Sequence, residues 1–205
     1  MATDEAVLES AATFATPVLR FYGWSEPAAS FGYFQRYREI ERLTQLRPLV
    51  RRPTGGGLVP HDADWTYSLI FPPSDPWYSL KAIESYHRVH AWIQQAFARA
   101  GFSAHLAPET VPAGVGQCFV GAEQFDVIWK NQKIAGAAQR RTRQGLLIQG
   151  SIQPPPGIAR VDWEKAFLEV SGVVWEPLAL DQKFEQHVQE LAANKYSSAA
   201  YNQRR

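Results

Sequence analysis

Apolar residues recur at three- and four-residue steps over residues 78–100, where Leu80, Ile83, Tyr86, Val89 or His90, Ile93 and Phe97 share one face and Gly101 follows as a stop. The spacing predicts a long amphipathic helix. A shorter one is expected over residues 4–15, where acidic residues alternate with Val7, Leu8, Ala11, Ala12 and Phe14. Between residues 17 and 72 the period shortens, and the runs VLRFYGW, ASFGYF, RPLVRR and WTYSLIF, separated by Pro, Gly and Asp, read as strands. Further β-type runs are expected at residues 117–120, at 125–138 with a turn near Asn131, and at 145–152, the last two as hairpin neighbours. A PPPG break at residues 154–157 precedes helices expected at 161–170, 178–193 and, briefly, 197–203. Strands interleaved with segregated helices predict an α+β domain with a mixed, mainly antiparallel sheet and flanking helices, rather than a doubly wound α/β fold.

Composition narrows this to one core. A chain of 205 residues with 45% hydrophobic and 13% aromatic content suits a single domain, here taken as residues 1–205. Lys+Arg 21 against Asp+Glu 20 leaves +1, which removes the electrostatic reason to expect nucleic acid or an anionic membrane surface as partner. No apolar run approaches the ~18 residues that span a bilayer, and the N-terminal stretch lacks a signal pattern. A cytoplasmic monomer is therefore expected. The one cysteine, Cys118, excludes an intramolecular disulfide framework and is either an inert core residue or a reactive thiol.

The candidate chemistry begins at RRPTGGGLVPHD, residues 51–62, between two strand-like runs. Three successive glycines let a ligand or another backbone approach closely, and Arg51 and Arg52 supply forked donors for a carboxylate, carbonyl or phosphate. By spacing alone a glycine hairpin flanked by solvated arginines is the commoner reading of such a run. A Walker A loop is excluded because no Gly-Lys-Ser/Thr follows, and a dinucleotide fingerprint because GxGxxG is absent. His87 and His90 lie three apart on the long helix, but no third ligand accompanies them, so no metal site is expected. His61 and Asp62 are expected to pair and fix the glycine loop. Arg140, Arg141 and Arg143 form a local basic run, either a solvated hairpin end or a rim suited to an acidic carrier protein.

As a whole, RRPTGGGLVPHD resembles the RRxxGGGxVxHD signature of the lipoate-protein ligase and octanoyltransferase superfamily, the biotin/lipoate A/B catalytic domain. Downstream, DVIWKNQKIAGAAQRRTRQGLLIQGSI, residues 126–152, is similar to that family's strand, turn, Lys-Ile-x-Gly-x-Ala-Gln and closing Gly-Ser/Thr-Ile pattern. Weaker echoes in ATDEAVLE, FYGWSEPAASFGYFQ and KYSSAAYNQRR extend the resemblance over nearly the whole chain. It implies a class II biotin/lipoyl ligase-like catalytic domain without a C-terminal accessory domain. Cys118 precedes Lys133 by 133 − 118 = 15 residues, an arrangement similar to that of the cysteine-dependent octanoyltransferases.

On that resemblance, Cys118 and Lys133 would be catalytic. A free thiol with a pKa of ~8.5 is mostly protonated at neutral pH, and a nearby ammonium favours the nucleophilic thiolate and stabilises charge developing on the acyl oxygen. Arg52, Gly55, Gly56, Gly57, Leu58, Val59, His61, Gly136 and Gly150 would bind the acyl substrate. The implied reaction takes octanoyl from octanoyl-acyl carrier protein through a cysteine thioester to a lysine of a lipoyl domain or glycine-cleavage H protein, without a cofactor or metal. Alternatives are an ATP- and Mg²⁺-dependent lipoate-protein ligase in which Arg52, Gly57 and Lys133 read the adenylate, an octanoyl amidotransferase, and a non-catalytic acyl-binding module. Two departures bear on the choice. Gln124 and Phe125 stand where ligases carry Arg-Asn before Asp126, which weakens the adenylate route, and Gln149 replaces a family histidine, so no proton transfer assigned to it carries over.

Overall fold

The computed structural model describes residues 1–111 and 121–204. Five antiparallel pairings build a six-stranded sheet from β1 (Val18–Tyr22), β5 (Trp65–Phe71), β9 (Gly145–Ile152), β8 (Gln132–Thr142), β7 (Val127–Trp129) and β6 (His105–Leu106), in that spatial order. A smaller sheet orders β3 (Leu49–Arg51), β2 (Ala28–Phe31) and β4 (Val59–His61), with β2 parallel to β3 and antiparallel to β4. The helices are α1 (Ala2–Ser10), α2 (Tyr37–Leu43), α3 (Ala82–Arg99), α4 (Arg160–Val170), α5 (Gln182–Leu191) and α6 (Ala199–Asn202). This is the α+β class with a mixed, mainly antiparallel arrangement that the element pattern predicts.

Period-two alternation decides what each face of the large sheet does. From β5, Tyr67, Leu69 and Phe71 join Leu146 and Ile148 of β9 against α3 and α4, where Val89, Ile93, Phe97, Trp163 and Phe167 complete the main core. The intervening residues face the other way: Ile70 and Leu147 pack on Val7 and Leu8 of α1 and on Ala11 just after it, while Thr66, Gln149 and Ser151 line a cleft beside the small sheet. Both faces of β9 are covered, so all eight of its residues are buried.

Several boundaries differ from the expected ones for local reasons. Asp75 accepts from the Trp77 N–H at 2.8 Å and closes a separate 3₁₀ turn, Pro76–Ser79. The long helix therefore starts at Ala82, where the Glu84 carboxylate accepts from the Lys81 N–H at 3.0 Å. Gly101, at φ +84°, ends it as expected. The turn near Asn131 is tight because Lys130 and Asn131 both adopt positive φ, 47° and 63°. Asp181 caps α5 through the Phe184 N–H at 2.8 Å, which moves its start to Gln182 from the expected 178. The periodicity gives no sign of α2, whose seven residues bury one, Ile40, nor of the short strands β4 and β6. The run expected at residues 117–120, and with it Cys118, lies outside the described residues.

Candidate functional site

Arg51, the last residue of β3, and Arg52, which follows it, point to opposite sides. Arg51 is fully buried and donates from Nη1 to the carbonyls of Tyr33 and Gln35, each at 2.7 Å. Its Nη2 donates to those of Asn202 and Arg204 at 3.0 and 2.6 Å, and its Nε to that of Tyr201 at 3.2 Å. It is a clamp between the glycine strand and α6. Arg52 faces the cleft instead: Nη2 donates to the carbonyls of Gly55 and Gly57 at 2.8 Å, and Nη1 to Ser30 Oγ at 3.0 Å. The guanidinium fork thus holds the glycine loop in shape.

His61 does not pair with Asp62, which is exposed. It pairs with Asp64, three residues on, because the end of β4 turns Asp64 back under the imidazole: His61 Nδ1 lies 2.8 Å from Asp64 Oδ2. Asp64 also accepts from Ser151 Oγ at 2.6 Å and Thr66 Oγ1 at 3.1 Å. A carboxylate only accepts, so Nδ1 carries a proton, and Nε2 on the other side of the ring lies 2.6 Å from Ser30 Oγ. Trp24 stacks on the imidazole at 4.1 Å and seals its outer face.

Lys133 lines the same cleft. Its ammonium lies 2.7 Å from Asp126, whose side chain is fully buried. Asp126 further accepts from the Glu123 N–H at 2.6 Å and from the Tyr86 hydroxyl in a very short contact. Burial pushes the Asp126 carboxyl above the usual carboxylate range, with the Lys133 cation pulling against it. A Cβ at Gly136 would sit 2.7 Å from Lys133 Cε and 3.1 Å from Asp126 Oδ1, so a side chain there would press on the lysine's end. The missing side chain makes room for the ion pair. At Gly150 a Cβ would overlap the Tyr67 ring. Both glycines line the cleft as well.

Gln149 has a defined place. Its Oε1 accepts from Thr54 Oγ1 at 2.9 Å, and its Nε2 donates to Asp4 Oδ2 at 2.7 Å, tying the glycine loop to α1 across the cleft. Asp4, fully buried, also takes Arg20 at 2.8 Å and Ser68 Oγ at 2.9 Å. Desolvation raises its carboxyl, but the N-terminal ammonium, Arg20 and these hydrogen bonds outweigh that and leave it below the usual range.

Of the residues singled out in the sequence, Arg52, Gly56, Val59, His61, Lys133, Gly136 and Gly150 converge on the cleft. Gly55 and Gly57 contribute carbonyls to Arg52. Leu58 instead packs with Phe31, Ile40 and Leu49 under the small sheet. Ser30, Asp64, Tyr86 and Asp126 complete the site without having been assigned to it. The His61-x-x-Asp64 spacing is the available sequence signal for one of them. His87 stacks on Phe125 at 4.2 Å, and His90 is buried with no hydrogen-bond partner for either ring nitrogen among the described residues. Desolvation, with the Lys133 charge, pulls His90 down to about 3. Among the described residues no cluster of His, Cys, Asp or Glu could hold a metal ion, and no helix is long and apolar enough to cross a membrane. The basic run is divided: Arg141 donates to the carbonyls of Tyr78 and Leu80, Arg140 lies over the Tyr33 ring, and Arg143 is exposed.

Residues 1–153 match the family model described as the lipoyl protein ligase A/B catalytic domain. The octanoyltransferase LipM of Kyrpidia tusciae is 35% identical over 165 residues, covering 74% of this chain and 60% of the relative. That of Staphylococcus aureus is 33% identical with the same coverage. The chain thus spans about 60% of the length of these curated relatives. Among solved structures, lipoate-protein ligase A bound with ATP superposes with a TM-score of 0.79 at 20% identity, covering 98% of this chain and 92% of that one. A bi-partite lipoate protein ligase from Thermoplasma acidophilum gives 0.71 at 21% identity, covering 98% and 89%. These two likenesses establish the fold.

Proposed function

The chain belongs to the lipoyl protein ligase A/B catalytic domain family, and from that premise we propose that it is an octanoyltransferase working through a cysteine thioester. Cys118 as thiolate attacks the carbonyl carbon of octanoyl-acyl carrier protein, and the pantetheine thiolate leaves. The ε-amine of an acceptor lysine on a lipoyl domain or glycine-cleavage H protein then attacks the Cys118 thioester, forming the amide and restoring the thiol. Lys133 faces the acyl carbonyl in both steps and stabilises the oxygen on which negative charge develops. Neither step uses a nucleotide or a metal.

The observation that carries this reading is the Lys133 ammonium, held by buried Asp126 in the wall of a cleft whose lining also includes Val59, Ala137 and Ala138. A cation fixed beside small aliphatic groups fits an unbranched acyl chain with a reactive carbonyl at one end. The 33–36% identical relatives named octanoyltransferase LipM support the same choice.

The test is intact-protein mass spectrometry after incubation with octanoyl-acyl carrier protein in the absence of ATP. A hydroxylamine-labile octanoyl adduct on wild type, absent from Cys118→Ala, is expected. Lys133→Met should slow its formation by about 10²–10³-fold, the usual cost of one electrostatic stabiliser. No adduct on wild type, together with transfer of free lipoate when ATP is added, would replace this reading by the ligase one.

A further inference from the structure

Ser30, His61 and Asp64 form a continuous hydrogen-bonded string in which no member was assigned a catalytic role above. Asp64 Oδ2 holds the imidazole by Nδ1 at 2.8 Å, and the opposite ring nitrogen meets Ser30 Oγ at 2.6 Å. All three residues are buried, and Ser30 and His61 line the cleft. We propose that Ser30 is a second acyl-accepting nucleophile, giving the protein a hydrolytic activity on medium-chain acyl esters that is independent of Cys118.

Three features carry the inference beyond the mere presence of the three residue types. The acceptor-only carboxylate keeps a proton on Nδ1, so Nε2 is the ring nitrogen placed to take the serine proton. Two further donors, Ser151 and Thr66, hold Asp64, so the carboxylate cannot swing away from the ring. Arg52 Nη1 already donates to Ser30 Oγ at 3.0 Å, which places a permanent cation beside the oxygen as its proton departs. A serine that served only to fix the loop would need one of these contacts; Ser30 has both the base and the cation.

The step balances without an outside oxidant or reductant. Ser30 Oγ bonds to the acyl carbon as its proton passes to His61 Nε2. The bond from that carbon to the ester oxygen breaks, and His61 returns the proton to the leaving alcohol. Water then adds to the Ser30 ester, giving up a proton to His61 that goes back to Ser30 as the carboxylic acid departs.

The probe is a fluorophosphonate, in which serine attack at phosphorus expels fluoride. Incubated with the full chain, it should leave its mass on Ser30, located by fragmentation of the digested peptide. This arm needs no variant, so it does not depend on whether a substitution folds. Hydrolysis of p-nitrophenyl octanoate should fall at least about 100-fold in Ser30→Ala and in His61→Gln, the scale of a lost nucleophile or general base. Absence of the probe from Ser30, or ester hydrolysis at the wild-type rate in Ser30→Ala, overturns the proposal. Because the transferase reading is scored by an adduct on Cys118, either reading can fail while the other stands.

Discussion

Two buried aspartates organise the two ends of the cleft, each by accepting three hydrogen bonds, and they do opposite things with them. Asp126 takes Lys133, Tyr86 and a backbone N–H, so its negative charge is matched by a full positive one. Asp64 takes an imidazole and two hydroxyls in place of an ammonium. The first end therefore presents a fixed cation to whatever lies in the cleft; the second presents a base that moves a proton. A buried carboxylate by itself specifies neither. What its partners are decides whether the site stabilises charge or relays it.

The sharpest way to break this contrast is to delete each carboxylate. Asp126→Ala strands an ammonium with little access to water and should cost about 3–5 kcal/mol in urea unfolding, the cost of breaking a buried pair. Asp64→Ala leaves an imidazole and two hydroxyls without their acceptor and should cost about 1–3 kcal/mol. Equal losses would mean that the two ends are not electrostatically distinct.

A pH series sharpens the same point. Because the folded protein holds the Asp126 proton more tightly than the unfolded chain does, the folded state binds more protons in the window from 3.8 up to the raised value. Wild type should therefore lose stability relative to Asp126→Asn as pH rises through that window. A relative gain with rising pH would overturn the direction assigned to this carboxyl. Asp4 gives the reverse control: its carboxyl is held low, so its contribution is present above 3.8 and is lost as pH falls through the lowered value. Wild type should lose stability relative to Asp4→Asn in that acid range. The smallest effect belongs to Tyr67, whose buried hydroxyl has no partner among the described residues. Tyr67→Phe removes that group and should stay within about 1 kcal/mol of wild type, toward greater stability.

The large elements were legible because their periods are long enough to repeat. In α3 the apolar face recurs through five turns, and in β8 and β9 the alternation runs on either side of a turn. Elements of two to seven residues, such as β6, β4 and α2, carry too few repeats to register and owe their existence to pairing and packing with distant segments. The same reasoning divides the site. RRPTGGGLVPHD marked the loop, but nothing local distinguishes Arg51, which serves the fold, from Arg52, which faces the cleft; only the strand's alternation does. His61 was placed with its sequence neighbour Asp62, whereas the chain turn selects Asp64. Ser30 reaches His61 only because β2 pairs with β4, a contact between residues 31 apart in sequence.

Arg51 has a consequence for the order in which this protein can be finished during synthesis. Its backbone N–H and the Nε and Nη2 of its guanidinium donate to Asn202, Tyr201 and Arg204, about 150 positions further along the chain. At ribosomal speeds of about 5–20 residues per second, that separation corresponds to roughly 8–30 s in which the strand beside the glycine loop exists without its acceptors. A nascent chain halted before residue 201 would hold every residue of the cleft wall and still lack the bolt behind it.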